Sequence, residues 1–213
     1  DLSDRKDGDV NIIDYRLNKN ILELSFNKKK YLIENKNLFG DFNFKNLIAC
    51  LILSYQLFPK NLELIIEASK QVSLPSNNRS TWIEKNNKEI FLDGYNANPS
   101  SMSVALNAYS IKMKEDNNDI SQVVIIVGDM NELGELARPA HKNLGLLIDS
   151  LGFLNVIFVG QFCSFFLQGM QTNLTYDSTE ELISDPPEEL LKAKFIFIKA
   201  SRSLQLESLL DIV

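Results

Sequence analysis

Glu89-Ile90-Phe91-Leu92-Asp93-Gly94-Tyr95-Asn96-Ala97-Asn98-Pro99-Ser100-Ser101-Met102 changes character twice. It opens as a short apolar run that reads as a buried strand. From Met102 onward, Ala105, Leu106, Tyr109 and Met113 recur at helical spacing. Between the two, Asn98 can cap the helix through its side-chain oxygen. Pro99 suits the first helical position, where a missing N–H costs nothing. A strand that ends in polar side chains and feeds a capped helix is how an open α/β sheet builds a ligand edge. A plain, well-capped turn has no need of Asp93, Asn96 and Asn98 together.

The residues beyond repeat this alternation. Strands are predicted at 81–85, 89–92, 123–127, 156–159 and 195–198, and helices near 100–114, 139–151, 162–170, 179–184 and 204–210. Continuous apolar runs such as Val123-Val124-Ile125-Ile126-Val127 suit strands covered on both faces, hence a mainly parallel sheet. The fold class is α/β, a Rossmann-like domain, although no G-x-G-x-x-G follows a strand. The first forty residues read instead as an antiparallel meander over 10–15, 21–26 and 31–33, with turns at Asn18-Lys19-Asn20 and Asn27-Lys28. Two amphipathic helices follow, one striped by Phe44, Leu47, Ile48, Leu51, Ile52 and Tyr55, the next by Leu62, Ile65 and Ile66. Ser73-Leu74-Pro75-Ser76-Asn77-Asn78 cannot continue a helix and divides the chain into domains 1–74 and 75–213.

The 213 residues, 45% apolar and 23% charged, are those of an ordinary globular protein. No apolar run approaches the roughly 20 residues of a membrane span, and the polar start is no secretory signal. Cys50 and Cys163 lie in apolar helical patterns, which predicts buried thiols in a reducing cytosol. A net charge of −6 argues against a nucleic-acid partner. Lys28-Lys29-Lys30 reads as a solvated hairpin turn.

The stretch 93–102 resembles the start of the C-terminal domain in the Mur ligases of peptidoglycan synthesis. Gly128-Asp129-Met130-Asn131-Glu132-Leu133-Gly134, with His141 seven residues on, is similar to a Gly-Asp-Met-x-Glu-Leu-Gly segment of the branch that adds D-alanyl-D-alanine. Lys199-Ala200-Ser201-Arg202 with Glu207 resembles the family's Lys-Gly-Ser-Arg and following Glu, with Ala200 for Gly. Gly40-Asp41-Phe42-Asn43-Phe44-Lys45-Asn46 is similar to the Gly-x-His-Asn-x-x-Asn element that closes the central ATP-binding domain, with Phe42 for His. The resemblance covers nearly the whole chain. It implies the end of that central domain followed by the third, Rossmann-like domain, in a cytoplasmic enzyme. The UDP-sugar-binding and remaining central segments would lie elsewhere in the same enzyme.

The implied chemistry is amide-bond formation driven by ATP and Mg²⁺, through an acyl phosphate, between a UDP-N-acetylmuramoyl-tripeptide and D-alanyl-D-alanine. By resemblance Asn43 and Asn46 read the adenine edge, Arg79 reaches the phosphates, and Asp93 accepts from the ribose hydroxyls. Asn43 is alternatively the helix N-cap, and Arg79 a surface arginine. Asn96 and Asn98 are candidate substrate ligands. Lys199, Ser201 and Arg202, emerging from a strand's carboxyl end, are candidates to anchor the dipeptide, because a guanidinium fork holds a carboxylate with two parallel bonds. Arg202 alternatively pairs with Glu207. Asp129 and Glu132 either hold a cation or amine or are simply solvated. His141, without Cys or a second His, has no metal partners and reads as a hydrogen-bonded structural side chain.

The sequence has no G-x-x-x-x-G-K-[ST] loop, so no phosphate cradle and no metal ligands are expected in this chain, which alone should be inactive. Two rivals stand beside this reading. One is a related amide ligase of the folylpolyglutamate or cyanophycin type, which Asn96-Ala97-Asn98-Pro99 and the Gly-Asp-Met segment argue against. The other is a non-catalytic α/β binding module.

Overall fold

A computed structural model describes residues 12–18, 21–26, 29–73, 80–172 and 174–213. The chain divides into two compact units, Asp1–Leu74 and Pro75–Val213.

In the first unit β1 (Ile12–Asn18), β2 (Ile21–Phe26) and β3 (Lys29–Glu34) form an antiparallel meander in that order. The two-residue period buries Leu22, Leu24, Tyr31 and Ile33 on one face. Against them α1 (Asp41–Leu57) packs Phe44, Leu47, Ile48 and Leu51, and α2 (Leu62–Ser69) packs Ile66. Asn35 closes this unit. Its buried amide nitrogen donates to the carbonyls of Ser69 and Val72, each at 2.9 Å, and its oxygen accepts from Asn37 N at 2.8 Å. Carbonyls left over at the end of α2 thereby find a donor. Asn18, expected in a turn, belongs to β1. Cys50 is exposed and Cys163 half-buried, against the expectation of core thiols. Cys50 lies off the Phe44–Leu47–Leu51 stripe, on the outward side of α1.

The second unit has the mainly parallel α/β architecture expected from its alternation. Its strands are β4 (Thr81–Lys85), β5 (Lys88–Leu92), β6 (Val123–Gly128), β7 (Asn155–Val159), β8 (Leu174–Tyr176) and β9 (Phe195–Lys199). They lie in the order β4-β5-β9-β6-β7-β8, with β4 alone antiparallel to its neighbour. α3 (Pro99–Glu115), α4 (Ala137–Leu151) and α5 (Cys163–Phe166) connect strands stepping one way across the sheet. α6 (Thr179–Ser184) and α7 (Glu188–Lys192) lead back, inserting β9 between β5 and β6. Right-handed crossovers then require the two helix sets to cover opposite faces. Leu182 and Leu190 indeed pack with Ile90, Val124, Ile157 and Ile196. Tyr109 of α3 meets Phe91 and Phe197 on the other face, with ring centroids 6.2 and 5.1 Å apart.

The strand at 174–176 and the helix Glu188–Lys192 are additions to the sequence reading, and the helix expected over 162–170 is only Cys163–Phe166. There the chain passes α4 backbone to backbone. A Cβ on Gly145 would come 2.5 Å from the Phe166 carbonyl oxygen. The expected helix at 204–210 is two 3₁₀ runs, Arg202–Leu204 and Leu206–Asp211, separated by Gln205 at φ 48°.

Candidate functional site

The carboxyl ends of β5, β9 and β6 lie side by side, and there the polar residues singled out in the second unit converge. In the parallel register Leu92 is opposite Ile198, so Asp93 and Lys199 follow as neighbours on adjacent strands. Asp93 N donates to Ile198 O at 2.9 Å. Lys199 is 1% exposed, and its ammonium donates to Asp93 Oδ2 at 2.6 Å and to Asn96 O at 2.8 Å. Asp93 Oδ1 accepts from Ser80 N at 3.1 Å. A buried ammonium persists only when paired in this way. Lys199 therefore ties the end of β5 to the loop that starts α3, and does not stand at the surface as a free point charge.

One strand over, Asp129 is buried and organises a second loop. Its Oδ2 accepts from Gln161 N at 2.9 Å and its Oδ1 from Phe162 N at 3.0 Å. Gly160 permits this contact. Its φ is +128°, and a Cβ there would stand 2.5 Å from both carboxylate oxygens. Ser201 N donates to Asp129 O at 3.0 Å, and Asn131 N donates to Ser201 Oγ at 2.8 Å. The Ser201 hydroxyl keeps its own proton to donate. Of the two readings of Asp129, neither a cation ligand nor a solvated carboxylate matches this arrangement, because its oxygens bind backbone. Glu132, further along the loop, is exposed at φ 63°.

His141 is fully buried beneath this loop. Its Nε2 accepts from Met130 N at 2.9 Å and its Nδ1 faces Ala137 O at 2.6 Å, which makes Nδ1 the protonated nitrogen. The ring stacks on Phe162 at 4.5 Å. Burial lowers its pKa below the ordinary imidazole value, against the raising influence of the Ala137 carbonyl and the Asp129 charge. It is the hydrogen-bonded structural side chain that the sequence suggests.

Asn98 is the N-cap of α3: its Oδ1 accepts from Ser101 N at 2.9 Å, and Ser101 Oγ accepts from Asn98 N at 3.1 Å. Asn96 is exposed, and its Oδ1 accepts from Ala97 N at 2.8 Å. Arg202 is exposed, with its guanidinium 5.5 Å over the Tyr95 ring. It makes no ion pair with Glu207, whose Oε2 is buried without a hydrogen-bond partner among the described residues. In the first unit Gly40, not Asn43, is the N-cap of α1. Asn43 is buried, with its amide nitrogen donating to Phe39 O at 2.7 Å, while Asn46 is exposed. Arg79 and the 74–78 stretch before it lie outside the described residues. Tyr95, Ser80 and Gly160 were not singled out from the sequence. Only Tyr95 carried a signal, as an aromatic inside the Asp93–Asn98 loop.

No protein-family model matches the chain. It is 26% identical over 190 residues to the UDP-N-acetylmuramoyl-tripeptide–D-alanyl-D-alanine ligase of Rickettsia prowazekii, across 85% of this chain and 41% of that one. To the enzyme of the same name from Buchnera aphidicola it is 30% identical over 178 residues, across 82% and 36%. Among solved structures it resembles MurF from Acinetobacter baumannii, with a TM-score of 0.74 and 24% identity, over 96% of this chain and 45% of that one. It also resembles the MurF ligase from Thermotoga maritima in complex with ADP, with a TM-score of 0.70 and 19% identity, over 97% and 46%. The chain spans less than half the length of each of these relatives.

Proposed function

We propose that this chain, a Mur ligase relative matching the C-terminal portion of the D-alanyl-D-alanine-adding enzymes, supplies the part of an ATP-dependent amide ligase that holds the nucleotide's sugar and the incoming dipeptide. In the complete enzyme, a carboxylate oxygen of the UDP-N-acetylmuramoyl-tripeptide attacks the γ-phosphorus of ATP, and ADP leaves. The dipeptide's amine then attacks the acyl carbon. The tetrahedral intermediate expels phosphate as the amine gives up its proton. Such transfers depend on positioning and charge neutralisation more than on protein nucleophiles. That suits a chain whose single histidine is a buried structural group.

The observation that carries this reading is the convergence of Asp93, Asn96, Ser201 and Arg202 on one sheet edge. Asp93 is assigned to the ribose, since each of its oxygens has accepted one bond and retains a further lone pair. Arg202 is assigned to the dipeptide carboxylate, with the Ser201 hydroxyl and the Asn96 amide beside it. Asn98 contributes through the loop it caps. In the first unit the exposed Asn46 offers an amide suited to an adenine edge, with Asn43 holding the turn beneath it; Arg79 is assigned to the phosphates from sequence alone. Mg²⁺ accompanies the nucleotide, but no residue of this chain is assigned to it. Among the described residues no three His, Cys, Asp or Glu side chains gather into a metal site, and Asp129 is committed to backbone.

Oxygen-18 placed in the tripeptide carboxylate tests the reaction. The complete enzyme should deliver one labelled oxygen to inorganic phosphate per peptide bond formed. Label released into AMP or into water instead of phosphate would overturn the acyl phosphate. The 213-residue chain by itself, lacking a phosphate loop, should show no ATP turnover above a contaminant control, and steady turnover would defeat that part.

A further inference from the structure

The geometry points to Lys199 as the positioning residue of the ribose subsite: it acts on the nucleotide through Asp93 and never touches the dipeptide. This rests on the reading of Asp93 as the ribose acceptor. Three observations carry it. Lys199 is 1% exposed, so its ammonium has no path to a ligand at the edge. Its partners are Asp93 Oδ2 at 2.6 Å and Asn96 O at 2.8 Å, both belonging to the loop after β5. Finally, the Leu92–Ile198 register sets residues 93 and 199 next to each other on neighbouring strands, with both side chains on one face of the sheet.

The consequence is geometric. A carboxylate offers about four acceptor positions. Lys199 takes one on Oδ2 and Ser80 N takes one on Oδ1, so the plane of the carboxylate is fixed from two sides. One acceptor position remains on each oxygen, and a vicinal diol presents two neighbouring O–H donors to such a pair. Lys199 thus sets the orientation in which Asp93 meets ribose. Without the ammonium, Ser80 N is the one donor left to the Asp93 carboxylate among the described residues, and the Asn96 carbonyl loses its donor at the same time.

The test uses the complete ligase with ATP, 2′-deoxy-ATP and 3′-deoxy-ATP as probes, read as the ratio of deoxy to ribo KM. One lost hydrogen bond is worth roughly tenfold, so the unaltered enzyme should show a ratio of about that size. Lys199→Met should bring the ratio close to one while the dipeptide KM changes less than threefold; a purely structural role would raise all nucleotide KM values together and preserve the ratio. Asp93→Asn should erase the ratio too. The double variant Asp93→Asn/Lys199→Met, which removes both charges of the pair together, should equal Asp93→Asn in ratio, because the two residues act as a unit. If Lys199→Met fails to fold, Lys199→Gln, which keeps a donor for Asn96 O, replaces it and should still lose the ratio. A lysine variant that keeps discriminating, while Asp93→Asn does not, overturns the proposal and spares the ribose reading. Absence of discrimination in the unaltered enzyme defeats both. A dipeptide KM raised tenfold by Lys199→Met, with the ratio intact, moves Lys199 to the dipeptide.

Discussion

At the amino edge of the six-stranded sheet, a groove of about 650 Å³ is lined by Asn86, Lys88, Ser121, Asn155, Glu188 and Lys192 among others. Yet the amino edge turns its donors inward. The Lys88 ammonium donates to the carbonyls of Leu190, Leu191 and Ala193, closing the end of α7. Asn155 donates to Ser121 O and Val123 O, and Lys192 pairs with Glu188. At the carboxyl edge the buried Lys199 and Asp129 and the partly buried Asp93 also hold backbone, but they do so beneath groups with few bonds of their own. Among the described residues the exposed Arg202 lies over the Tyr95 ring, and the buried Glu207 Oε2 has no hydrogen-bond partner. Volume marks where strands and helices leave a gap. Chemistry gathers where committed charges support uncommitted ones.

The contrast can be broken at several points. The largest effect should come from Gly160→Ala, which adds a methyl group against the Asp129 carboxylate at a left-handed φ. Strain together with two charge-assisted bonds amounts to a loss of about 3–5 kcal/mol. Urea unfolding followed by the fluorescence of Trp82, the single tryptophan, measures this for the second unit. A variant of unchanged midpoint would mean that the Asp129 clamp contributes nothing. Next in size, Arg202→Lys in the complete ligase should raise the dipeptide KM by about tenfold, because lysine keeps the charge and loses the fork. Its ATP KM should stay within about twofold. An ATP KM that rises while the dipeptide KM stays still would put Arg202 on the nucleotide.

Lys88→Ala probes the opposite edge. It should lower stability by about 1–2 kcal/mol through lost carbonyl partners and leave both KM values unchanged. A changed KM would give the amino-edge groove a role in binding. The smallest effect is that of His141. Its folded pKa is depressed, so between that value and the ordinary one near 6.5 the unfolded chain holds the extra proton and stability falls as pH falls. A single group imposes at most about 1.4 kcal/mol per pH unit. His141→Gln should flatten the stability profile between pH 7 and 5, and an unaltered slope would locate the acid sensitivity elsewhere.

Much of the second unit's architecture was legible because its signals are local. Leu92 ends a strand, Asn98 caps a helix and Pro99 begins it, and the structure uses all three as read. Period-two and helical spacing placed β4 to β7 and β9 within about a residue or two of their observed limits. What escaped is non-local. Lys199 and Asp93 meet across 106 residues, and Asp129 meets Gln161 N across 32. A sequence shows that a carboxylate is present, but not whether its partner is a ligand or a backbone amide. The exposed Cys50 shows the same limit in reverse: an apolar neighbourhood in sequence does not say which way one position of a helix faces. β8, three residues long and half-buried, has no run to announce it.

The insertion of β9 between β5 and β6 bears on the order of folding. The strand at the centre of the sheet is the last one synthesised, and its partners precede it by about a hundred residues on one side and about seventy on the other. Until Phe195–Lys199 emerges, β5 and β6 have no strand to join them. Each then presents an apolar parallel edge, the kind of surface on which chains associate wrongly. The ion pair between Asp93 and Lys199 closes only when that strand slides into place. The same contact that orders the edge therefore reports that the sheet is complete.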